Sequence, residues 1–110
     1  MSLDAGALGQ QMLAAALPIL KTHAIDAEGF ASVEFKKIAQ TIVSIQEMLL
    51  VKQINPQQAE LLLDMQKSAS RSVLLTVKGL ALLAAEEAIN AALDVVRGVV
   101  NAAVKFPLIP

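Results

Sequence analysis

Apolar residues recur every three or four positions along most of the chain, which is the period of an amphipathic α-helix. The clearest example is a predicted helix from Val33 to Gln53, with Ser32 as its N-cap. Its charged and hydroxyl side chains fall on the opposite face, and the alternation with period two that is typical of strands is nearly absent. The sequence therefore predicts an all-α protein. The apolar face of this helix consists of Phe35, Ile38, Ala39, Ile42, Ile45, Leu49 and Leu50.

The N-terminal segment predicts a first helix over residues 4–27, with Asp4 as its N-cap. Pro18 lacks a backbone N–H, so we expect a kink or break over residues 14–17. Gly29 stands where a helix C-cap glycine belongs. Residues 26–29 are therefore expected to form the connection to the second helix.

The third helix has a well-defined predicted start. Asn55 is a good N-cap, Pro56 fits the first helical position, and Gln58 stands where a capping-box side chain reaches back to the cap. No proline follows until Pro107. Local sequence thus determines where this helix begins, whereas its end is left open.

Two architectures follow from the two interpretations of Gly79. A single glycine inside a helix costs only about 1 kcal/mol relative to alanine, and no Asn, Asp, Ser or Pro stands beside it to build a turn. We therefore favour one helix over residues 56–105, about 75 Å long, in an elongated three-helix bundle. The alternative is a hairpin at Gly79, which gives four helices and a compact monomer.

The length of this helix decides what must cover it. A globule of about 100 residues has a radius of gyration near 13 Å. A helix of about 75 Å extends far beyond such a globule, so its far end has to pack against another subunit. In the hairpin architecture, the single helical domain of residues 1–110 can cover its own core.

The second half of the third helix carries the most apolar surface of the chain. Leu75, Leu82, Ile89 and Val96 recur every seven residues, beside a stripe of alanines that permits close helix approach. Such a surface suits either an interface between copies or the core of one chain, and we favour the interface. The predicted interface residues are Leu75, Leu82, Ala85, Ala88, Ile89, Ala92, Leu93, Val96, Val100 and Phe106.

The composition is that of an ordered domain with apolar surface to cover. Apolar residues make up 55% of the chain and charged residues 17%, which argues against intrinsic disorder. A domain this small buries only about two-thirds of the surface that its unfolded chain exposes. We therefore expect some of its apolar side chains to be exposed on the surface. Cysteine is absent, which rules out disulfides and thiolate metal sites. A net charge of −1 gives no reason to expect nucleic acid as a partner.

The sequence disfavours a secretory signal and a membrane span. The N-terminus has no basic region before its apolar stretch. The uncharged stretch from Ala5 to Leu20 is shorter than the roughly 20 residues that a span needs, and charged residues interrupt every later apolar run. A cytoplasmic location is the resulting expectation, with association at a membrane surface as an alternative.

Candidate catalytic residues are scarce. His23, the single histidine, has no cysteine or second histidine to share a metal and no motif that links it to a nucleophile. Glu87, Asn90 and Asp94 share a helical face, but the Glu-x-x-His motif of di-metal bundles is missing, so we interpret them as a solvated polar stripe. The basic and hydroxyl cluster at residues 67–71 is expected to pair with acidic neighbours. We expect no enzyme, no cofactor and no small-molecule substrate.

The last residues, Lys105 to Pro110, are apolar apart from the lysine and cannot extend a helix beyond Phe106. Chain ends are usually polar and frayed, so an apolar end with two prolines indicates docking. We expect this tail to occupy a groove on its own subunit or on a neighbour. Our hypothesis is that it latches an oligomer.

The function predicted from these observations is that of a non-enzymatic structural or assembly protein. It would form a helical homo-oligomer through its Ala- and Leu-rich helix faces, with a second copy of the chain as its partner. Two alternatives stay open: a helical protein associated with a membrane or lipid surface, and a bundle that binds a small apolar ligand between its helices.

Overall fold

The computed structural model describes residues 3–24 and 26–110, which form four α-helices and, within those ranges, no strand. The prediction of an all-α fold is confirmed. The helices are α1 (Ala5–His23), α2 (Ala27–Leu50), α3 (Pro56–Leu74) and α4 (Leu82–Val104).

The chain turns back at Gly79, so the favoured prediction of one helix over residues 56–105 is wrong and the four-helix alternative is correct. Gly79 has a φ of 90°, in the left-handed region that favours glycine. A Cβ at this position would also lie 3.1 Å from the backbone oxygen of His23, at the end of α1. Val77 and Leu80 anchor the connection in the core. Helix propensity favours continuation here, but it is a weak preference that tertiary packing overrides.

The start of α2 also differs from the prediction. α2 begins at Ala27 instead of Val33, so Ser32 is not its N-cap, and Gly29 lies inside its first turn instead of capping α1. Ala27 and Ala31 are fully buried. The buried face of α2 therefore extends more than a turn beyond the predicted start, and its packing outweighs the local signals of the serine and the glycine.

Pro18 does not interrupt α1, and the break expected near residues 14–17 is absent. The helix begins as predicted, because the Asp4 carboxylate accepts a hydrogen bond of 3.0 Å from the backbone N–H two residues further on. Beyond the proline, Leu20 is fully buried. Its packing holds the last turn of the helix in place despite the missing backbone donor.

α3 starts as the sequence predicts. The side-chain oxygen of Asn55 accepts a hydrogen bond of 2.8 Å from the backbone N–H of Gln58, and the Gln58 side-chain oxygen accepts one of 2.9 Å from the backbone N–H of Asn55. Pro56 is the first helical residue. All partners lie within four residues of one another, so no distant part of the chain is needed to form this start.

The four helices form a bundle of 42 × 21 × 20 Å with a radius of gyration of 13.6 Å. A helix of about 75 Å has no place in it. The solvent-accessible surface is 6159 Å², close to the roughly 5,800 Å² expected of a compact monomer of 11.6 kDa. The bundle is therefore compact instead of elongated, and one chain covers most of its own core.

The core lies mainly between α1, α2 and α4. α4 packs chiefly on α1, and its alanines allow the two helix axes to come close. Ala85, Ala88 and Ala92 are fully buried in this contact region, as is Ala16 on α1. α2 adds the large apolar side chains that complete the core, among them Phe35, Ile38, Ile42 and Ile45.

A polar contact sets the register of α2 against α3. The Thr41 hydroxyl donates to the side-chain oxygen of Gln66 at 3.1 Å, and the Gln66 side-chain nitrogen donates to the Ser70 hydroxyl at 3.0 Å. Ser70 is fully buried. Because Gln66 and Ser70 both lie on α3, their bond does not depend on the register, whereas a shift of α3 by one turn would break the hydrogen bond from Thr41 to Gln66.

We predict that Gly79→Ala lowers the free energy of unfolding by about 1–3 kcal/mol, because alanine would need a left-handed φ and would crowd the His23 oxygen. Gly98→Ala is the matched control, since Gly98 lies inside α4 with open space around the position of a Cβ. Alanine there should raise the free energy of unfolding by up to about 1 kcal/mol. Urea unfolding followed by circular dichroism measures both values. If both variants gained stability, the turn would not require glycine.

Candidate functional site

A groove runs between α3 and α4, the adjacent helices that pack on each other least closely. Its open part has a volume of about 460 Å³. One apolar side chain, that of Ile89, lies among polar and charged ones. The lining consists of Asp64, Lys67, Ser68 and Arg71 from α3 and Glu86, Ile89 and Asn90 from α4.

The charged side chains of this groove pair with one another. Arg71 Nη1 lies 3.5 Å from Glu86 Oε1 across the groove, and Lys67 Nζ lies 3.9 Å from Asp64 Oδ1 along α3. The ion pairing expected for the cluster at residues 67–71 is therefore present. With two cations facing two carboxylates, the groove has no excess positive charge with which to hold an anion.

The C-terminal tail (residues 105–110) occupies the other part of the groove. Leu108 and Ile109 are buried. Ile109 and Pro110 line a hollow of about 330 Å³ together with Lys67 on α3 and residues of α4 such as Arg97. The prediction that the tail docks into a groove is thus met on the chain's own surface, whereas its role as a latch between copies stays a hypothesis.

One side chain holds the backbone of the tail. The Asn101 amide nitrogen donates to the backbone oxygen of Ile109 at 2.9 Å, and the Asn101 amide oxygen accepts from the backbone N–H of Ile109, also at 2.9 Å. Lys105, directly after α4, has a φ of 65° and donates its backbone N–H to the Asn101 carbonyl. This left-handed residue reverses the chain, so that the tail runs back along α4.

Seven of the ten residues predicted to form an interface between copies lie in the core of this chain. Because the turn at Gly79 folds α4 back, the apolar stripe of α4 packs on the chain's own helices. Leu75 and Leu82 remain on the surface, 40% and 51% exposed, and Phe106 is partly buried. The buried seven are Ala85, Ala88, Ile89, Ala92, Leu93, Val96 and Val100.

A second surface, at one end of the bundle, is apolar. The α1–α2 and α3–α4 connections meet at this end, as the close approach of Gly79 to His23 shows. Exposed apolar side chains, each between 40% and 68% exposed, lie within two helical turns of these connections. They are Phe30 and Val33 on α2, Leu75 after α3, and Leu82 and Leu83 on α4, and we call these five residues the apolar end.

Sequence reasoning missed Phe30 and Val33 as surface residues. Both belong to the first two turns of α2; the sequence placed Phe30 before the predicted helix and Val33 at its first position. They are spaced three residues apart and lie off the buried face, and that spacing was the available signal. In the structure they border a shallow hollow of about 300 Å³, which Asp26, Gly29 and Glu34 complete.

The charges around the apolar end are mixed in sign. Lys21 Nζ lies 3.5 Å from Glu28 Oε1. Lys37 Nζ lies 3.3 Å from the carboxylate of Glu34, whose side chain is buried. Attachment to an anionic lipid surface usually relies on a cluster of basic residues. Lys21 and Lys37, near the apolar side chains, are thus each paired with a carboxylate.

The residues considered for chemistry are dispersed. His23 is exposed at the end of α1, and Glu87, Asn90 and Asp94 are exposed on α4. Asp94 forms an ion pair with Arg97, one turn further along the helix. Over residues 3–24 and 26–110, no three carboxylate or imidazole groups come together in the way that a metal ion requires. None of the helices described in those ranges combines the length and apolar character of a membrane-crossing segment.

The chain matches no protein-family model, and it is similar to no curated protein and to no solved structure. Four-helix bundles serve many unrelated functions, so the fold by itself assigns none. The two surfaces described above, the groove with its tail and the apolar end, are therefore the basis for inferring function.

We predict that the Arg71–Glu86 ion pair contributes little to stability. Both side chains are about two-fifths exposed, so solvent screens the attraction, and the coupling should stay below about 1 kcal/mol and fall as salt is added. A double-mutant cycle with Arg71→Ala and Glu86→Ala, measured by urea unfolding, gives this value. A coupling of about 2 kcal/mol or more would mean that the pair holds the two helices together.

Proposed function

We propose that the protein is a non-enzymatic structural or assembly protein whose bundle associates with further copies of itself through the apolar end. The observation that carries this proposal is the position of five large apolar side chains at one end of the molecule, where no other part of the described chain covers them. Apolar area removed from water contributes about 25 cal/mol per Å². Association that covers this end is therefore favourable.

The size of the apolar end limits the strength of such association. The bundle is 21 × 20 Å across, so an end-to-end contact covers on the order of 400 Å² per copy, against about 800 Å² per partner in a standard stable interface. The proposed association is therefore weak and depends on concentration. When two copies meet through the same surface, the product is a closed dimer with twofold symmetry.

Two features of the molecule support a protein partner over the alternatives. The ion pairs around the apolar end present both signs of charge, which suits a complementary protein surface better than an anionic membrane. The hollow beside Phe30 and Val33 is shallow and open to solvent, whereas sites for small apolar ligands are usually enclosed. Binding to lipid vesicles or to a small ligand are the competing functions.

We predict that the chain self-associates reversibly at high micromolar concentration and that Leu82→Gln with Leu83→Gln weakens this association at least tenfold. Each leucine is more than half exposed, and covering both contributes more than the roughly 1.4 kcal/mol that corresponds to a factor of ten. Sedimentation equilibrium over a range of protein concentrations measures the change.

The matched control is the double variant Leu50→Gln with Val51→Gln, at the opposite end of the bundle. These two residues are 73% and 66% exposed, so the control removes as much exposed apolar surface from a different place. The proposal expects the control to associate like the unmodified chain. A monomer at all concentrations up to the millimolar range would refute the proposal. Co-sedimentation with neutral lipid vesicles, lost in the Leu82/Leu83 variant alone, would favour the membrane alternative.

A further inference from the structure

The tail is a short segment that is held by few contacts. Two of its apolar side chains, those of Leu108 and Ile109, are buried, while Pro107 and Pro110 on either side are exposed. The Asn101 amide contacts both backbone polar groups of Ile109. Sites that bind an extended peptide usually bury some of its apolar side chains and form hydrogen bonds with its backbone. The tail has both kinds of contact.

The backbone conformation that connects α4 to the tail is unfavourable. Lys105 carries a Cβ but has a φ of 65°, a conformation that such residues rarely adopt. On the same chain, the tail reaches its site through this reversal. An extended connection would remove the strain and point the tail away from its own bundle.

The site also continues beyond the tail. Lys67 and Asn90 line both the hollow that contains Ile109 and Pro110 and the open part of the groove that leads to Arg71 and Glu86. The end of the tail thus lies next to unoccupied space between α3 and α4. A peptide entering from outside could reach the positions of Leu108 and Ile109 along this open part.

We propose that the groove between α3 and α4 is a binding site for the C-terminal tail of a second copy, so that copies exchange tails. An exchanged tail makes the same contacts with Asn101 and the same apolar burial as the chain's own tail. The two arrangements therefore differ mainly at Lys105, which is relaxed after exchange, and in the entropy cost of association. This contact is separate from the apolar end, because α4 begins at that end and finishes at the opposite one.

The tail segment between Phe106 and Pro110 restricts the geometry of exchange. Five residues span at most about 17 Å when fully extended. The C-terminal ends of the two α4 helices must therefore lie within about that distance of each other's grooves. The product is a dimer joined at the ends of α4.

The first test measures binding of the tail between molecules. A fluorescent peptide with the sequence of residues 103–110 is titrated with the full chain in which Leu108→Gln and Ile109→Gln prevent the protein's own tail from occupying the groove. We expect saturable binding to this variant and at least tenfold weaker binding to the unmodified chain, whose own tail competes. Fluorescence anisotropy reports the affinity, and circular dichroism establishes that each variant is folded.

Recognition by Asn101 is tested in the same assay. Adding Asn101→Ala to the acceptor should weaken peptide binding at least tenfold, because both backbone hydrogen bonds are lost. Glu87→Ala, an exposed residue on the same helix, is the control and should leave binding unchanged. Absence of peptide binding to the folded acceptor, or binding that is indifferent to Asn101, would overturn the proposal.

The second test shifts the equilibrium of exchange in the full chain. Lys105→Pro excludes a positive φ and should raise the dimer fraction several-fold, whereas Lys105→Gly accepts it without strain and should lower the dimer fraction. Both variants carry Leu82→Gln and Leu83→Gln, so association through the apolar end does not contribute. Sedimentation velocity measures the dimer fraction. If both variants were equally monomeric, tail exchange would be refuted whatever the outcome for the apolar end.

Discussion

The packing of α4 on α1 is the interaction on which the rest of the structure depends. If the helix continued straight from α3, the alanine stripe of α4 and its neighbours Ile89 and Val96 would be exposed to water. Burying one such large side chain contributes about 1.5–3 kcal/mol, whereas the local preference for a continuous helix is weak at Gly79, because glycine inside a helix is about 1 kcal/mol less favourable than alanine. Burial by a second copy would provide the same apolar contacts but carries the entropy cost of association. The chain therefore turns back on itself, and Gly79 is the residue that can take the required backbone conformation beside the end of α1.

The packing of α4 on α1 explains why the bundle is open between α3 and α4. α1 packs on both α2 and α4, and α2 packs on α3, so three of the four adjacent helix pairs are closely packed. The fourth pair, α3 with α4, is bridged by the exposed ion pair between Arg71 and Glu86 and by the tail. The small alanine side chains on the inner face of α4 let that helix pack close to α1. This leaves space between α4 and α3. The tail fills part of the space with Leu108 and Ile109, and the remainder is the groove.

The two surfaces considered for function have different physical character. The apolar end offers large exposed side chains but little area, which suits weak association driven by the hydrophobic effect. The groove offers few contacts but specific ones, since Asn101 recognises the backbone of an extended segment through two hydrogen bonds. The part of the groove that holds the tail lies near the end of α4, opposite to the apolar end. Copies that used both would be joined in a line, with weak contacts at one end and exchanged tails at the other.

The sequence by itself determined the helical class, the capping box at Asn55 and Gln58, the Asp4 cap and the buried apolar positions of α2 from Phe35 to Ile45, because each depends on residues only a few positions apart. Leu50, which the sequence placed on the same apolar face, is 73% exposed. The sequence also identified the apolar character of the tail. Only the tertiary structure decided whether the helix would continue or the chain would turn at Gly79, where α2 begins, and which helices of the chain the stripe around Ile89 packs against. At Gly79 and at the start of α2, the free energies of helix propensity and capping differ by only about 1 kcal/mol between the predicted and the observed arrangement. Burial of Ala27 and Ala31, and of the α4 stripe against α1, outweighs differences of that size and depends on residues far apart in the chain.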